Sequence, residues 1–324
     1  MADEQVRTEQ DVVQPPGSGS TLAPARSAEI RDFVVDGPGK TTTVPEGIPG
    51  RTRFERIRTI VVYTLLIGIA LLYFVPFLWT FSTSLKTLPE TGHFSLLPHH
   101  PTFHAYRDAL TTYNFGRYAA NSFGLALTVT VLNVFLCSLG GYAFARLKFP
   151  GREVLFFAVL ATLMVPDQLR LVPIFVKFTE WGLIGHYHAY VLVRLASAAQ
   201  LFLMRQYFLT IPRDLEEAAK LDGAGYFKTF IRVMLPLAGP AIAAVAILEF
   251  EGAWNDFFWP NVLFNTSPDH YTLPVGIFSF VTTYQTNYPP LMASCVIAIL
   301  PIAVLYVFFQ RYFVAGVASA GVKG

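Results

Sequence analysis

The sequence predicts an all-α polytopic membrane protein with six transmembrane helices, and three observations carry that prediction. Hydrophobic residues make up 53% of the 324 residues and charged residues 14%, where soluble domains carry about a quarter charged. Beyond Arg58 the chain is a succession of apolar runs, each near the roughly 20 residues that a spanning helix needs. Lysine and arginine gather in alternate connections between those runs, as they do where connections alternate between the two sides of a bilayer.

Residues 1–50 come first and differ in kind. The stretch "QPPGSGSTLAPARSAE" is rich in Pro, Gly and Ser and has no periodic apolar face, so a disordered cytoplasmic tail is expected. Its acidic start and missing apolar centre exclude a secretory signal. Spans are then expected near 59–81, 119–143, 153–175, 187–209, 237–259 and 291–313. In the third, Pro166, "DQLR" and Pro173 follow one another closely, so this span is expected to end early or break.

Arg51, Arg53, Arg56 and Arg58 precede the first span, and Arg146, Lys148 and Arg152 lie between the second and third. Arg205, Arg213, Lys220, Lys228 and Arg232 lie between the fourth and fifth, and Arg311 and Lys323 follow the sixth. On the other side stand only Lys86, Arg107, Arg117, Arg170 and Lys177, with no basic residue between Trp259 and Pro290. Both termini and the 213–235 connection are therefore expected in the cytoplasm, in a multi-pass arrangement.

Several function classes drop out. A net charge of +2 argues against nucleic acid as a partner. No G-x-x-x-x-G-K-[ST] phosphate loop occurs, nor G-x-S-x-G, H-E-x-x-H or C-x-x-C. The chain is thus not expected to be an enzyme or to bind a cofactor. Cys137 and Cys295 sit inside apolar runs and read as buried thiols. His99 with His100, or His186 with His188, has metal-ligand chemistry, but polar residues at a membrane surface is the simpler account, and no metal site is expected.

Two polar features inside this apolar chain call for a role. The first is the connection 213–235. Asp214 is placed to cap a short helix, Gly223 and Gly225 permit a turn, a second helix starts near Tyr226, and Pro236 marks the return to the membrane. A polar helix pair with Ala and Gly at its centre suits close docking to another protein, although a solvated connector has the same pattern. The second feature is intramembrane charge: Arg194, Glu249 and Glu251. With ideal helices, Arg194 and Glu251 each lie roughly 10–12 Å below the outer surface and face each other as a pair, with Asn255 one turn further out. Glu249 is then turned about 200° away from Glu251. Such a pair either locks two helices together or lines a translocation pathway.

The motifs resemble one family in chain order. "EEAAKLDGAG" at 216–225 followed by "VMLPLAGPA" at 233–241 is similar to the EAA loop of permease subunits of binding-protein-dependent ABC importers. "NSFGLALTVT" at 121–130, "GGYAFARLKFPGR" at 140–152, "MVPDQLRLVPIF" at 164–175, "WNDFFWP" at 254–260, "YTLPVGI" at 271–277 and "QRYFVAGVASAGVKG" at 310–324 resemble the carbohydrate branch, in particular the maltose-type second permease. The likeness covers roughly residues 55–324.

The resemblance implies a type I ABC importer permease fold and a sugar as cargo. Glu217, Ala218, Ala219, Asp222 and Gly223 match the positions that dock a cytoplasmic ATPase. Tyr271, Leu273 and Pro274 fall in the outward loop that meets the binding protein. Gly321, Val322, Lys323 and Gly324 form the tail that reaches the ATPase. The implied partners are a second homologous permease, two copies of the ATPase, which binds the ATP, and an extracytoplasmic solute-binding protein, in a bacterial-type inner membrane. The competing expectation is an ion-coupled secondary transporter using Arg194 and Glu251, which leaves the 213–235 connection without a role.

Overall fold

The structure is a computed structural model that describes residues 53–93, 95–283 and 287–321, with backbone alone for 53–55, 282 and 309–321. The expected tail, residues 1–50, lies outside the described residues, as do Val322, Lys323 and Gly324. Every regular element among the described residues is helical.

Three helices are long and apolar enough to cross a membrane unaided: α1 (Arg53–Ser84), α3 (Phe115–Arg146) and α14 (Tyr288–Gly321). Along its apolar stretch α1 exposes residues on every side, including Leu72, Tyr73 and Phe74. A helix apolar all round and uncovered by its own chain fits lipid or another membrane subunit as its surroundings. The short helix α2 (His104–Thr111) lies between α1 and α3 and packs on both α3 and α14.

Two further spans are bent pairs. The expected third span is α4 (Arg152–Ala161), a 3₁₀ turn over Thr162–Met164, and α5 (Asp167–Glu180), with a 100° bend between the halves. The break falls at Pro166, whose ring disfavours a helical conformation for the preceding residue: Val165 is extended, at φ −94° and ψ 110°. The expected fourth span, 187–209, is divided into α6 (Tyr187–Val193) and α7 (Ala198–Thr210), separated by Arg194–Ser197.

The 213–235 connection contains α8 (Asp214–Leu221) and α9 (Tyr226–Thr229). Asp214 is not the cap it was expected to be. Arg213 holds that position, and Asp214 is the first helical residue, where its charge suits the positive end of the helix dipole. A π-turn over Phe230–Met234 and the single turn α10 (Leu235–Leu237) lead into α11 (Gly239–Trp254), with a 77° bend. The fifth span thus ends at Trp254, five residues short of expectation. After it come α12 (Phe258–Phe264), a 3₁₀ turn at Pro268–His270, and α13 (Leu273–Thr283).

Helix α3 is the central post, packing on α7 and α11. Its "GG" pair explains how. A Cβ on Gly141 would stand 2.7 Å from Met204 Cβ and 2.9 Å from the Arg205 backbone nitrogen, and one on Gly140 2.9 Å from Leu201. Only glycine lets α7 approach this closely. Around the crossing, Cys137, Tyr142, Met204, Phe208, Phe230, Met234 and Val245 form one buried cluster. A second cluster joins Phe115, Trp254, Leu273, Phe280 and Ala293, and a third joins Val129, Phe178, Tyr190, Trp259 and Phe264.

Candidate functional site: a polar helical loop and a buried polar cluster

The 213–235 loop sorts into a face that holds it to the rest of the chain and a face that is exposed. Glu216 is buried, and its carboxylate pairs with Arg146 at 3.0 Å; the two side chains are 9% and 4% exposed. Arg146 is the last residue of α3, in the "YAFAR" motif. Its guanidinium also donates to Phe208 O at 2.6 Å and to Ile211 O at the end of α7. One arginine therefore fastens α8, α7 and α3 together, satisfying carbonyls that the end of α7 would otherwise leave open. Glu217, Ala218, Asp222 and Gly223 are exposed and Ala219 is half-buried. Gly223 adopts φ +79°, a left-handed conformation that closes the turn after α8 and favours glycine. Lys220 lies over the Tyr226 ring at 5.4 Å, tying the two short helices across that turn.

Sequence reading placed the loop's weight on Glu217 and passed over Glu216 and Arg146. The signal was present: consecutive residues of a helix point about 100° apart, so Glu216 and Glu217 cannot share one face of α8, and an arginine closes the long apolar run of α3. What one sequence lacks is the contact between positions 70 residues apart.

The second polar feature corrects an expectation. Arg194 does not meet Glu251. Its Nη2 and Nε donate to Glu249 Oε1 at 2.9 and 3.1 Å, and its Nη1 to Asp256 Oδ2 at 3.3 Å. Glu251 and Asn255 are exposed. The depth argument counted along a helix continuing to residue 259, whereas α11 stops at Trp254 and the chain turns. The break after Val193 also frees Arg194 from the regular helical direction. With Glu249 and Glu251 on opposite sides of α11, the choice of one excludes the other, and the structure selects Glu249, which is 2% exposed. Gly252 makes the passage: a Cβ there would stand 3.0 Å from Arg194 Nη2.

The cluster extends further. Gln200 Nε2 donates to Glu249 Oε2 at 2.7 Å, and the Tyr190 hydroxyl donates to Asp256 Oδ2 at 3.2 Å. Asp256 Oδ1 accepts the Trp259 backbone N–H at 3.3 Å, which fixes the turn after α11. Arg194, Gln200 and Glu249 line a cavity of about 400 Å³, together with Asp167, Arg170 and Trp259 from the break between α4 and α5 and the start of α12. Asp167 pairs with Arg170 and accepts the Trp259 indole N–H at 3.4 Å. Each broken element thus delivers polar groups to one place, the arrangement expected where irregular backbone borders a polar space inside a membrane protein.

At the expected outward loop, Tyr271 and Pro274 are half-buried, and Asn121 Nδ2 donates to the Tyr271 carbonyl at 2.9 Å. Leu273 cannot be a contact residue in this arrangement. It is fully buried against the second cluster, and its N–H donates to Ser122 Oγ at 2.8 Å. Gly321 ends α14, and the remaining tail positions lie outside the described residues.

These features place the chain in a class: a helical membrane component with a firmly held polar loop and a polar interior, carrying no ATP-binding motif in its sequence. Residues 137–319 match the family of binding-protein-dependent transport system inner membrane components. The chain belongs to this family, and is a membrane transport component rather than an enzyme. It is 36% identical over 261 residues to an arabinooligosaccharides transport system permease of Bacillus subtilis, covering 79% of this chain and 92% of that one. It is also 36% identical to a diacetylchitobiose uptake system permease of Streptomyces coelicolor, over 80% of this chain and 87% of the relative. Among solved structures, a bacterial ABC transporter involved in import of the acidic polysaccharide alginate aligns with a TM-score of 0.73 and 28% identity, over 82% of this chain and 99% of that one. The fold is thus the type I ABC importer permease fold. Such a permease works with a partner permease, an ATPase and a solute-binding protein. Nothing in these comparisons favours the ion-coupled alternative.

Proposed function

We propose that this chain is one of two permease subunits of an ATP-driven sugar importer. In this reading it forms half of the pathway and takes its drive from one of two ATPase copies, docked at the exposed face of α8. The observation that carries the proposal is the division of labour between adjacent acids. Glu216 is spent holding the loop to α3 and α7, while Glu217, Ala218, Asp222 and Gly223 remain exposed on a firmly held element. An exposed carboxylate on a fixed helix offers a charge-assisted contact to a basic group of the ATPase, and small neighbours allow close approach. Sugar as the cargo is supported by the relatives' own descriptions, and cytoplasmic placement of the loop by the distribution of basic residues.

The test compares the two acids. Glu217→Lys and Gly223→Pro are expected to insert and assemble normally, yet to separate ATP hydrolysis from uptake in proteoliposomes. Glu216→Gln leaves a buried arginine without its counter-charge, at a cost of about 3–5 kcal/mol, so it is expected to lower the thermal midpoint instead. Normal solute-stimulated ATPase and uptake in both Glu217→Lys and Gly223→Pro refutes the docking assignment.

A further inference from the structure

The cavity at the broken helices has a chemistry that selects among solutes. Its ionisable lining consists of Asp167, Arg170, Arg194 and Glu249. Two cations thus face two anions, and the cations are already engaged: Arg170 with Asp167, and Arg194 with both Glu249 and Asp256. Counting Asp256 beneath the wall, carboxylates outnumber guanidinium groups. Two helix N-termini border the cavity, at Asp167 of α5 and Ala198 of α7. Helix N-termini ordinarily favour anions, but here each is already faced by an acid. Asp167 is itself the first residue of α5, and Glu249 Oε2 is bound by Gln200 in the first turn of α7. An incoming phosphate, carboxylate or sulfonate would find no free positive charge and would lie near three carboxylates.

Among the described residues, two polar atoms in the same wall lack a partner, Gln200 Oε1 and Arg170 Nε. One is an acceptor and the other a donor. Gln200 is 7% exposed, and a buried amide oxygen without a donor is costly. A hydroxyl group both donates and accepts, so a polyol meets both needs. An oxyanion only accepts, and would leave Gln200 Oε1 unmet. Both atoms lie just under the cavity surface, so engagement requires rotation of the Gln200 amide toward the solute. The volume of about 400 Å³ is at the small end of the roughly 300–1,000 Å³ typical of ligand sites.

We infer that this cavity is a solute site of the permease itself, taking a short, uncharged saccharide and disfavouring phosphorylated, carboxylated or sulfonated ones. The inference rests on the importer reading, and it sets this chain apart from its alginate-importing structural neighbour, whose cargo is acidic.

The experiment uses the whole complex in proteoliposomes with its binding protein. Uptake is followed with radiolabelled neutral di- and trisaccharides (trehalose, maltose, arabinobiose, arabinotriose) and with glycerol 3-phosphate and digalacturonate. Wild-type complex is expected to import from the neutral set alone. Because the binding protein also selects solutes, two permease variants carry the decision while that protein is unchanged. Gln200→Leu removes the acceptor, and Asp167→Asn unbalances Arg170 at a half-exposed position that tolerates change. Gln200→Leu is expected to raise KM for the imported saccharide about fivefold, the effect of one hydrogen bond, and Asp167→Asn, which frees Arg170, to increase inhibition of that uptake by digalacturonate, both in complexes that assemble to the wild-type level. Import of an anion by wild type at a rate comparable to the best neutral solute, wild-type KM in assembled Gln200→Leu, or unchanged inhibition in assembled Asp167→Asn overturns the inference. ATP-dependent uptake of no solute by wild type overturns the importer reading and this inference together.

Discussion

Arg194 shows what a single side chain decides in this molecule. A guanidinium in an apolar span is costly unless paired, and this one has two carboxylates within hydrogen-bond distance. Among the described residues Glu249, at 2% exposure, has no other partner of opposite charge, so removing Arg194 leaves its buried charge uncompensated, whereas Arg194 without Glu249 keeps only Asp256. Arg194→Glu and Glu249→Arg are each expected to lose about 3–5 kcal/mol and to yield little folded protein. The double variant is expected to recover part of that loss, and Glu251→Gln to behave as wild type. Quantifying the monodisperse fraction after detergent extraction checks all four. A double variant no better than the singles means that the Arg194–Glu249 contact does not hold the fold.

At the scale of elements, helix breaks and helix crossings divide the work. Breaks at Val165–Pro166, at Arg194–Ser197 and after Trp254 bring backbone turns and polar side chains to one cavity. The α3–α7 crossing instead depends on closeness. At Gly141 even one added methyl group would sit 2.7 Å from Met204 Cβ, and backbone atoms on the far side cannot swing away. Overpacking of this kind costs about 1–3 kcal/mol. Because Arg146 lies at the end of the same helix and holds α8, displacement at the crossing reaches the docking loop. Gly141→Val is accordingly expected to lower both thermal stability and coupling, whereas Gly124→Ala, on the same helix with open space around it, is expected to leave both intact. Differential scanning fluorimetry with paired ATPase and uptake assays separates the two substitutions.

At the scale of the whole molecule, this chain is incomplete by construction. Large apolar side chains of α1 such as Leu72 and Phe74 are exposed in the isolated chain, and the sequence holds no phosphate-loop motif with which to bind ATP. A permease of this kind functions as one part of an assembly. Tyr271→Cys, at a half-buried position of the proposed outward loop, is expected to cross-link to the solute-binding protein, while Leu273→Cys is expected not to, because Leu273 is enclosed. Absence of the Tyr271 product from an actively transporting complex removes that loop from the interface.

The sequence by itself determined the membrane class, five of the six spans as continuous or bent helices, the polar helix pair that follows the fourth span and the family motifs. All of these are properties of local composition and period: apolar run length, alternating basic connections, and glycines where the chain must turn left-handed, as at Gly223. It also drew attention to Arg194, since charge in an apolar run is visible without any contact. Only the tertiary structure decided which acid answers Arg194, which of two neighbouring glutamates is buried, and that Leu273 belongs to the core. The physical reason is the same in each case. Pairing a charge requires direction as well as depth, and a helix that breaks at Arg194 or stops at Trp254 redirects every side chain beyond the break. Arg146 and Glu216, 70 positions apart, meet because two glycines let α3 and α7 close together, and no local pattern contains that distance.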